Sequence, residues 1–600
     1  MASGRWRSVV RERVALYGLA AAICVAVLAP LAAPGYVLAF DMVFVPRQPL
    51  RWDLVAPADV LPRSVPLDAV VSLVTQVVPG WLVQRFALVA VLAVAAVGAG
   101  RLVPADRLPI RLGAALGYAW TPYLAERLLI GHWALLLGYA ALPWLVQAVL
   151  RLRAGRPGAL ARVVLAAAPA VLTPTGGLIA FGVTAALVPG RGVPRRPAIL
   201  AVLAVAALNL PWLVASVTTT AGGSSDPLGV PAFAARAENW SGVLGALAGT
   251  GGIWNAQTTP GSRASGLVPV ATLALLALAV AGYPVLRRRW AGVAAGRYAN
   301  GDDAPDVGVG GGVAGRFAGI AAVGFLLASA GALPVLRDGL AWLVVAVPGA
   351  GLLRDGQKFL MPYALFLVLC AALGAQRLAG RLAAVPAAAG AVLLGFLLLP
   401  VATLPDLGYG VAGRLRPVHY PADWDIVAAR VAEQPGPVLS LPLSAYRNYP
   451  WNPGSVVLDP LPRYLPAEVV VDDTLVVGDL AVAGENSRAG GIRRLVGSGA
   501  PVARSGVRWV VVQRDAAGPV AGETLAGLHV VYSGPELTLY ANPQFGLDDT
   551  SPARADRSVW TWRRWLAAGA GTLALGITLA ALVALGIRAV SRLGRHPTPW

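Results

Sequence analysis

The chain has 600 residues, of which 57% are hydrophobic and only 13% are charged, and its formal net charge is +19. Soluble domains carry about 25% charged residues, so the composition excludes an ordinary water-soluble protein. The arginines lie at the ends of apolar stretches and do not form one patch. This placement excludes a nucleic-acid-binding surface and follows the positive-inside rule of membrane proteins.

Apolar stretches recur along the whole chain, and a membrane crossing needs about 20 apolar residues. With the N-terminus in the cytoplasm, arginines cluster at every second boundary between these stretches. The pattern predicts a mainly α, polytopic protein of the plasma membrane, with about 12 transmembrane helices and both termini cytoplasmic. The predicted spans are 14–38, 84–102, 108–124, 133–150, 159–175, 176–190, 197–217, 266–286, 316–335, 359–378, 384–404 and 562–587.

Long segments on the arginine-poor side divide the chain. Residues 1–404 are predicted to form the membrane bundle, with outer loops at 39–83 and 218–265. Residues 405–561 have a soluble composition and predict an extracytoplasmic α/β domain, and 562–600 hold a last span and a cytoplasmic tail. Periodicity within the domain predicts a helix at Ala422–Glu433 and strands at Val438–Leu443, Arg508–Val512, His529–Tyr532 and Leu537–Tyr540.

Asp41 directly follows the first predicted span, among apolar neighbours. A carboxylate that is partly desolvated at the membrane rim has a raised pKa, which would suit a general base. The alternative is an ordinary interfacial aspartate that ends a helix. Arg47 lies in the same outer loop and is a candidate for binding substrate.

A second group of polar residues, Glu126, Arg127 and His132, falls in a predicted tight outer turn between the third and fourth spans. Together they could hold an anion or orient a reacting hydroxyl. The alternative is a solvated turn with a local Glu–Arg pair that contributes about 0–1 kcal/mol.

A third group precedes the tenth span and contains Arg354 and Lys358, the only lysine of the chain. Residues four apart share one face of a helix, so the two cations could clamp a phosphate at headgroup depth. The alternative is that they reach out to the phosphates of membrane lipids. Trp254, in a glycine-rich loop, could stack on a sugar or anchor the loop at the interface.

Several sequence segments resemble those of GT-C glycosyltransferases, in particular the actinobacterial branch that includes mycobacterial arabinofuranosyltransferases, and the related YfhO-like membrane proteins. An acid follows the first helix. The segments ERLLIGHWALLLGYAALPW (126–144), LLRDGQKF (352–359), and GVRWVVV (506–512) through LTLYANP (537–543) are similar to segments of those chains. The resemblance covers most of the chain and implies a GT-C-like bundle.

The resemblance implies that Asp41 is the catalytic base and that Arg354 and Lys358, with Arg127, bind the phosphate of a polyprenyl-phosphate sugar. The acceptor would be a glycan or lipid of the cell envelope. Many family members carry two acids in the first loop, whereas the next acid here is Asp53. Either Asp53 or Glu126 supplies the second carboxylate, or the chain works with one.

The cofactor question stays open at the level of sequence. The four histidines and two cysteines lack metal-binding spacing. The resemblance leaves room for a divalent cation held by Asp41 and Glu126.

Three functions agree with the sequence. The first is a membrane glycosyltransferase that inverts the anomeric centre. The second is a transporter of lipid-linked sugars, and the third is a non-catalytic scaffold of the cell-envelope machinery.

Overall fold

The computed structural model describes residues 2–190, 193–221, 223, 225–291, 312–514, 518–546 and 557–593. The chain is mainly helical: helices form the bundle and cover both faces of a C-terminal sheet. The helices of the first half are α1 Ala2–Leu28, α2 Leu67–Thr75, α3 Gly80–Leu102, α4 Leu108–Ala119, α5 Pro122–Leu129, α6 Trp133–Arg153, α7 Ala159–Ala167, α8 Pro174–Leu187, α9 Arg195–Leu208, α10 Leu210–Thr218, α11 Gly229–Ala232, α12 Gly242–Ala248 and α13 Leu267–Ala291.

The second half of the described chain adds four long apolar helices and a domain of shorter elements. Its helices are α14 Val313–Ala330, α15 Pro334–Ala346, α16 Met361–Arg381, α17 Pro386–Thr403, α18 Gly408–Gly413, α19 Asp423–Glu433, α20 Leu461–Tyr464, α21 Ser487–Gly497 and α22 Arg557–Leu593. α18 is one short turn in which Tyr409, Val411 and Ala412 have positive φ.

Eight helices of the described residues are long and apolar enough to cross a membrane. The pair α9 and α10 becomes a ninth span if it is counted as one helix, bent by 47° at Asn209. Pro211 explains the bend, because proline cannot donate the backbone hydrogen bond that continues a helix. The multi-pass architecture predicted from the arginine pattern is therefore supported by these helices.

The predicted count of about 12 spans is not reproduced. Segments 108–124, 159–175 and 176–190 form α-helices of 12, 9 and 14 residues, each shorter than one straight crossing of about 20 residues. The first of them, α4, continues after a break into α5, and the two together are long enough to cross. Pro122, Pro169 and Pro174 follow the points at which these helical stretches break. The predicted outer segment before the tenth span also contains an additional helix, α15.

The C-terminal region holds a five-stranded sheet in the order β4-β1-β7-β9-β8. β4, β1 and β7 are parallel, and β9 runs antiparallel to both β7 and β8. All four strands predicted from the sequence are present, as is the predicted helix at α19. The strands are β1 Val438–Leu441, β2 Tyr446–Arg447, β3 Val457–Leu458, β4 Val469–Val470, β5 Leu475–Val477, β6 Leu480–Val482, β7 Trp509–Gln513, β8 His529–Ser533 and β9 Leu537–Ala541.

The two faces of the sheet are both covered. Val510 of β7 packs with Ile492 of α21 in one buried cluster. Trp509 and Val511 belong to the opposite cluster, together with Val427 of α19. Alternate side chains of a strand point to opposite faces, so one apolar strand supplies both clusters and the region folds as an α/β domain.

The segment after α1 is joined to this domain by backbone hydrogen bonds. Tyr36 pairs with Val418, and Phe40 pairs with Val457 of β3. The first outer segment and the C-terminal domain, more than 370 residues apart in sequence, therefore meet at the end of α1, where Asp41 lies.

Candidate functional site

Asp41 lies in a tight turn that the surrounding backbone holds in place. Phe40, the residue before it, has a φ of 45°, a left-handed conformation that bulky residues rarely adopt. The amide of Asp41 donates to the carbonyl of Ile130 at 3.1 Å. Gly131 has a φ of 84°, and a side chain at that position would collide with the backbone of Met42. The glycine thus allows the turn after α1 to approach the turn before α6.

Both carboxylate oxygens of Asp41 accept hydrogen bonds from side chains of distant segments. The Tyr446 hydroxyl donates to Oδ1 at 2.6 Å, and His132 Nε2 lies 3.0 Å from Oδ2. The side chain of Asp41 is nevertheless 36% exposed. The carboxylate is therefore oriented on both sides and still open to a ligand.

The hydrogen bonds of His132 define its tautomer. Arg127 Nη1 lies 2.9 Å from His132 Nδ1, and a guanidinium can only donate. Nδ1 therefore accepts, and Nε2 carries the proton that it donates to Asp41. Burial and the charges of Lys358 and Arg127 lower the pKa of His132, which agrees with a neutral imidazole.

The expected raised pKa of Asp41 is wrong. Burial alone would raise it, but the hydrogen bonds from His132 and Tyr446 and the charge of Lys358 outweigh burial and lower the pKa of Asp41 to about 2. The sequence argument considered only desolvation and missed these three partners. At neutral pH Asp41 is an ionised hydrogen-bond acceptor.

Arg127 forms a buried ion pair behind His132. Its guanidinium makes two hydrogen bonds to Asp355, at 2.8 and 2.9 Å, and its side chain is fully buried. Lys358 Nζ lies 3.3 Å from the same carboxylate, and 27% of the lysine side chain is exposed. Asp355 thus pairs with a fully buried cation, Arg127, and with a partly exposed cation, Lys358, next to Asp41.

Glu126 is close in sequence to Arg127 but lies in a different environment. It is 0% exposed, and its Oε2 accepts from the amide of Ile253 and from Gln357 Nε2. Burial and the neighbouring carboxylate of Glu238 raise the pKa of Glu126 well above its ordinary value. The solvated outer turn considered from the sequence is therefore wrong, since the short buried helix α5 carries this residue.

The arrangement does not suit a divalent cation shared by Asp41 and Glu126, a possibility that the sequence left open. Glu126 binds Ile253 and Gln357, whereas Asp41 binds His132 and Tyr446, so the two carboxyls face different partners. Within the described ranges, no group of three or more His, Cys, Asp or Glu side chains could hold a metal ion. We therefore assign no step to a metal.

Arg354, predicted to clamp a phosphate together with Lys358, has other partners. The two residues belong to separate 3-10 turns, so the expected shared α-helical face is not formed. Arg354 Nη1 donates to Glu485 at 3.1 Å, and Arg63 pairs with the same carboxylate. This three-residue group, which we call the Glu485 clasp, joins the C-terminal domain to two outer segments of the bundle.

Two other predicted substrate-binding residues contact partners other than Asp41. Arg47 is exposed and donates to Gln76 at 2.7 Å. Trp254 is half-buried and packs edge-on against Phe233, with ring centroids 4.9 Å apart. Asp53, considered as a second carboxylate, pairs with Arg51 at 2.7 Å.

The structure also adds residues that the prediction omitted from the site. Tyr446 is 405 residues from Asp41 in sequence, and no local pattern marks it. Asp355 had a local signal, because it lies between the two cations Arg354 and Lys358. Gln357, which bridges Arg127 and Glu126, had none beyond its position in the same segment.

No protein-family model matches the chain, and no curated protein matches it by sequence. Among solved structures it is similar to a cryo-EM structure of arabinofuranosyltransferase AftD from mycobacteria, with a TM-score of 0.54 and 17% identity. The chain shares the fold of the matched part of that protein. The match covers 88% of this chain but only 40% of the AftD chain.

A mutant form of the mycobacterial AftD gives the same result, with a TM-score of 0.52, 17% identity and coverage of 88% of this chain and 41% of that chain. The predicted resemblance to mycobacterial arabinofuranosyltransferases is confirmed at the level of the fold. The chain spans less than half of the length of the AftD chain that it matches.

Proposed function

We propose that the chain is a membrane glycosyltransferase that moves a sugar from a polyprenyl-phosphate donor to a glycan or lipid acceptor of the cell envelope. The observation that carries the proposal is the meeting of Asp41 with His132, Tyr446 and Lys358, which come from four separate segments. An ionised, partly exposed carboxylate beside an accessible cation is the pair that transfer from a phosphate requires. The fold likeness to an arabinofuranosyltransferase supports the same class of reaction.

Asp41 is the general base in this mechanism. The acceptor hydroxyl attacks the anomeric carbon as the bond from that carbon to the phosphate oxygen breaks, and its proton passes to Asp41. The phosphate leaves with the bonding electron pair on the opposite face, so the anomeric centre is inverted. A carboxylate with a pKa near 2 is a weak base. The proton therefore moves only after carbon–oxygen bond formation has made the hydroxyl acidic.

Lys358 stabilises the negative charge that develops on the departing phosphate. The Lys358 side chain is partly exposed, whereas Arg127 is fully buried. Arg127 fixes the positions of Asp355 and His132 through its hydrogen bonds. His132 donates its Nε2 proton to Asp41 and thereby orients the carboxylate. The roles of Arg127 and His132 are therefore in positioning the base and not in contacting the substrate.

The orientation in the membrane follows from the same proposal. The arginine-rich loops lie in the cytoplasm, and residues 405–561, the loops 39–83 and 218–265, and the Asp41 site lie on the outer face of the plasma membrane. The bundle of residues 1–404 binds the lipid part of the donor. In the last unit, 562–600, the span is described, while the end of the cytoplasmic tail lies outside the described residues.

The proposal is tested with Asp41→Asn in nanodiscs that contain a radiolabelled polyprenyl-phosphate arabinose. Loss of the base should lower transfer by about 10²–10⁴-fold while the variant still folds. Asp338→Asn is the matched control, since this carboxylate is 82% exposed and pairs with Arg337. Full transfer by Asp41→Asn would show that the mechanism is wrong, whereas no transfer by the parent protein would favour a non-catalytic scaffold.

A further inference from the structure

A cavity of about 290 Å³ lies between the first outer segment and the C-terminal domain. Residues between Arg51 and Asp68 form one wall, and residues between Ala445 and Arg488 form the other. Its volume is close to the lower end of ordinary ligand pockets, which start at about 300 Å³. The space therefore suits a ligand of about one or two sugar rings.

The cavity adjoins the side of Asp41 that faces Tyr446. Ala445 precedes Tyr446, and Leu458 pairs with Tyr446 across the β2–β3 hairpin, and both line the cavity. Leu458 also donates its amide to the carbonyl of Phe40, the residue before Asp41. The wall of the cavity thus belongs to the hairpin that carries Tyr446, whose hydroxyl donates to Asp41.

The charges of the walls disfavour a phosphate. Seven carboxylates and four arginines line the cavity, and three of these arginines are paired with carboxylates that also line it. The pairs are Arg51–Asp53, Arg63–Glu485 and Arg463–Asp68. Asp459 and Glu485 also pair with Arg447 and Arg354, which do not line the cavity. Arginines that are already paired attract an anion weakly, while carboxylates and guanidiniums in fixed pairs offer acceptors and donors to neighbouring hydroxyl groups.

We propose that this cavity binds the neutral, hydroxyl-rich end of a glycan acceptor, an assignment that rests on the function proposed above. The anionic donor then occupies the side of Asp41 at Lys358, and the acceptor occupies the side at Tyr446. The base lies between the two subsites, and the anionic donor is disfavoured in the cavity because the arginines Arg51, Arg63 and Arg463 there are already paired. The Glu485 clasp closes one end of the acceptor subsite, because Arg63 and Glu485 both line it.

The experiment measures binding without transfer. Asp41→Asn protein in nanodiscs is titrated calorimetrically with three neutral methyl trisaccharides, built of (1→5)-linked arabinofuranose, (1→6)-linked mannopyranose and (1→4)-linked glucopyranose. At least one should bind, and Ala58→Trp, which places an indole in the cavity, should weaken that binding at least about 10-fold. Glu468→Gln and Asp59→Asn change the walls without changing their volume and should each weaken binding by about 3-fold or more.

Glu433→Gln is the control, since this carboxylate is 61% exposed on α19 and does not line the cavity. Its affinity should equal that of the parent protein. Binding that survives Ala58→Trp and both polar variants would overturn the assignment, as would no binding by any trisaccharide up to about 10 mM.

The outcome is separate from that of the proposed function. Transfer by Asp41→Asn at the full rate, together with binding that depends on Ala58, would keep the glycan site and show that Asp41 is not the base. Loss of transfer in Asp41→Asn, together with trisaccharide binding that is unaffected by the cavity variants, would support the proposed enzyme. It would also show that the acceptor binds outside this cavity.

Discussion

Asp41 and Glu126 are two carboxyl groups of one hydrogen-bonded chain, and they differ in nearly every property. The chain runs from Asp41 through His132, Arg127 and Gln357 to Glu126. At one end the pKa is lowered by donors and a cation, and the carboxylate is accessible. At the other end, burial and the carboxylate of Glu238 raise the pKa of Glu126, and the Glu126 side chain is fully buried. Polar neighbours in the sequence therefore do not show whether a carboxyl group is ionised and accessible enough to act as a base.

The largest loss of stability and of transfer is expected at Arg127, which lies in the hydrogen-bonded chain between Asp41 and Glu126. Arg127→Met leaves Asp355 buried without its main partner and removes the donor to His132 Nδ1. Breaking a buried ion pair costs about 3–5 kcal/mol, so chemical denaturation should show a loss of that size and transfer should fall with it.

The control for this variant is Arg337→Met, whose partner Asp338 is largely exposed at 3.7 Å. An exposed pair contributes at most about 1 kcal/mol. Equal losses for the two variants would show that the link between the ends has no special role in the fold.

Lys358→Met tests the accessible end of the chain. Asp355 keeps Arg127, so the fold should survive, while the Michaelis constant for the polyprenyl-phosphate donor should rise about 10-fold. Arg354→Met is the comparison, because Arg354 binds Glu485 in the clasp. A larger rise for Arg354→Met than for Lys358→Met would place the donor phosphate at the clasp.

Tyr446→Phe tests how the Asp41 end is kept ionised. The variant removes the donor to Oδ1, so the pKa of Asp41 should rise from about 2 toward its ordinary value near 4. Because Asp41 acts only when ionised, the acid limb of the pH–rate profile should move to higher pH. The rate at neutral pH should change by less than about 10-fold.

The same shift has a consequence for stability. A carboxyl whose pKa is lowered in the folded state stabilises the fold above the unfolded pKa, and this contribution is lost as the pH falls toward 2. Tyr446→Phe should therefore destabilise the protein above about pH 4 and have little effect near pH 2. An unchanged acid limb and an unchanged acid denaturation curve would contradict the assigned role of Tyr446.

The smallest effect on transfer is expected at Glu126, the buried end of the hydrogen-bonded chain. Burial and Glu238 raise the pKa of Glu126, and Glu126→Gln keeps an oxygen for Ile253 and Gln357 and a donor toward Glu238. Transfer should stay within about 3-fold of the parent rate. A loss as large as that of Asp41→Asn would mean that Glu126 supplies the second carboxylate of the reaction.

Part of this architecture could be predicted from local sequence signals. β7 is a short run of β-branched residues and β9 alternates, as strands do, and long apolar runs such as α13 and α16 mark membrane helices. The failures have physical causes. Breaks at prolines shortened three predicted spans, and the pKa of Asp41 depends on Tyr446 and Lys358, which are brought close only by the fold.

The most direct measurement of the central claim is a cryo-EM structure of Asp41→Asn with a bound polyprenyl-phosphate sugar. The account predicts the phosphate within hydrogen-bond distance of Lys358 Nζ and the anomeric carbon facing residue 41. A phosphate held by Arg354 and Arg63, with the sugar away from residue 41, would contradict it.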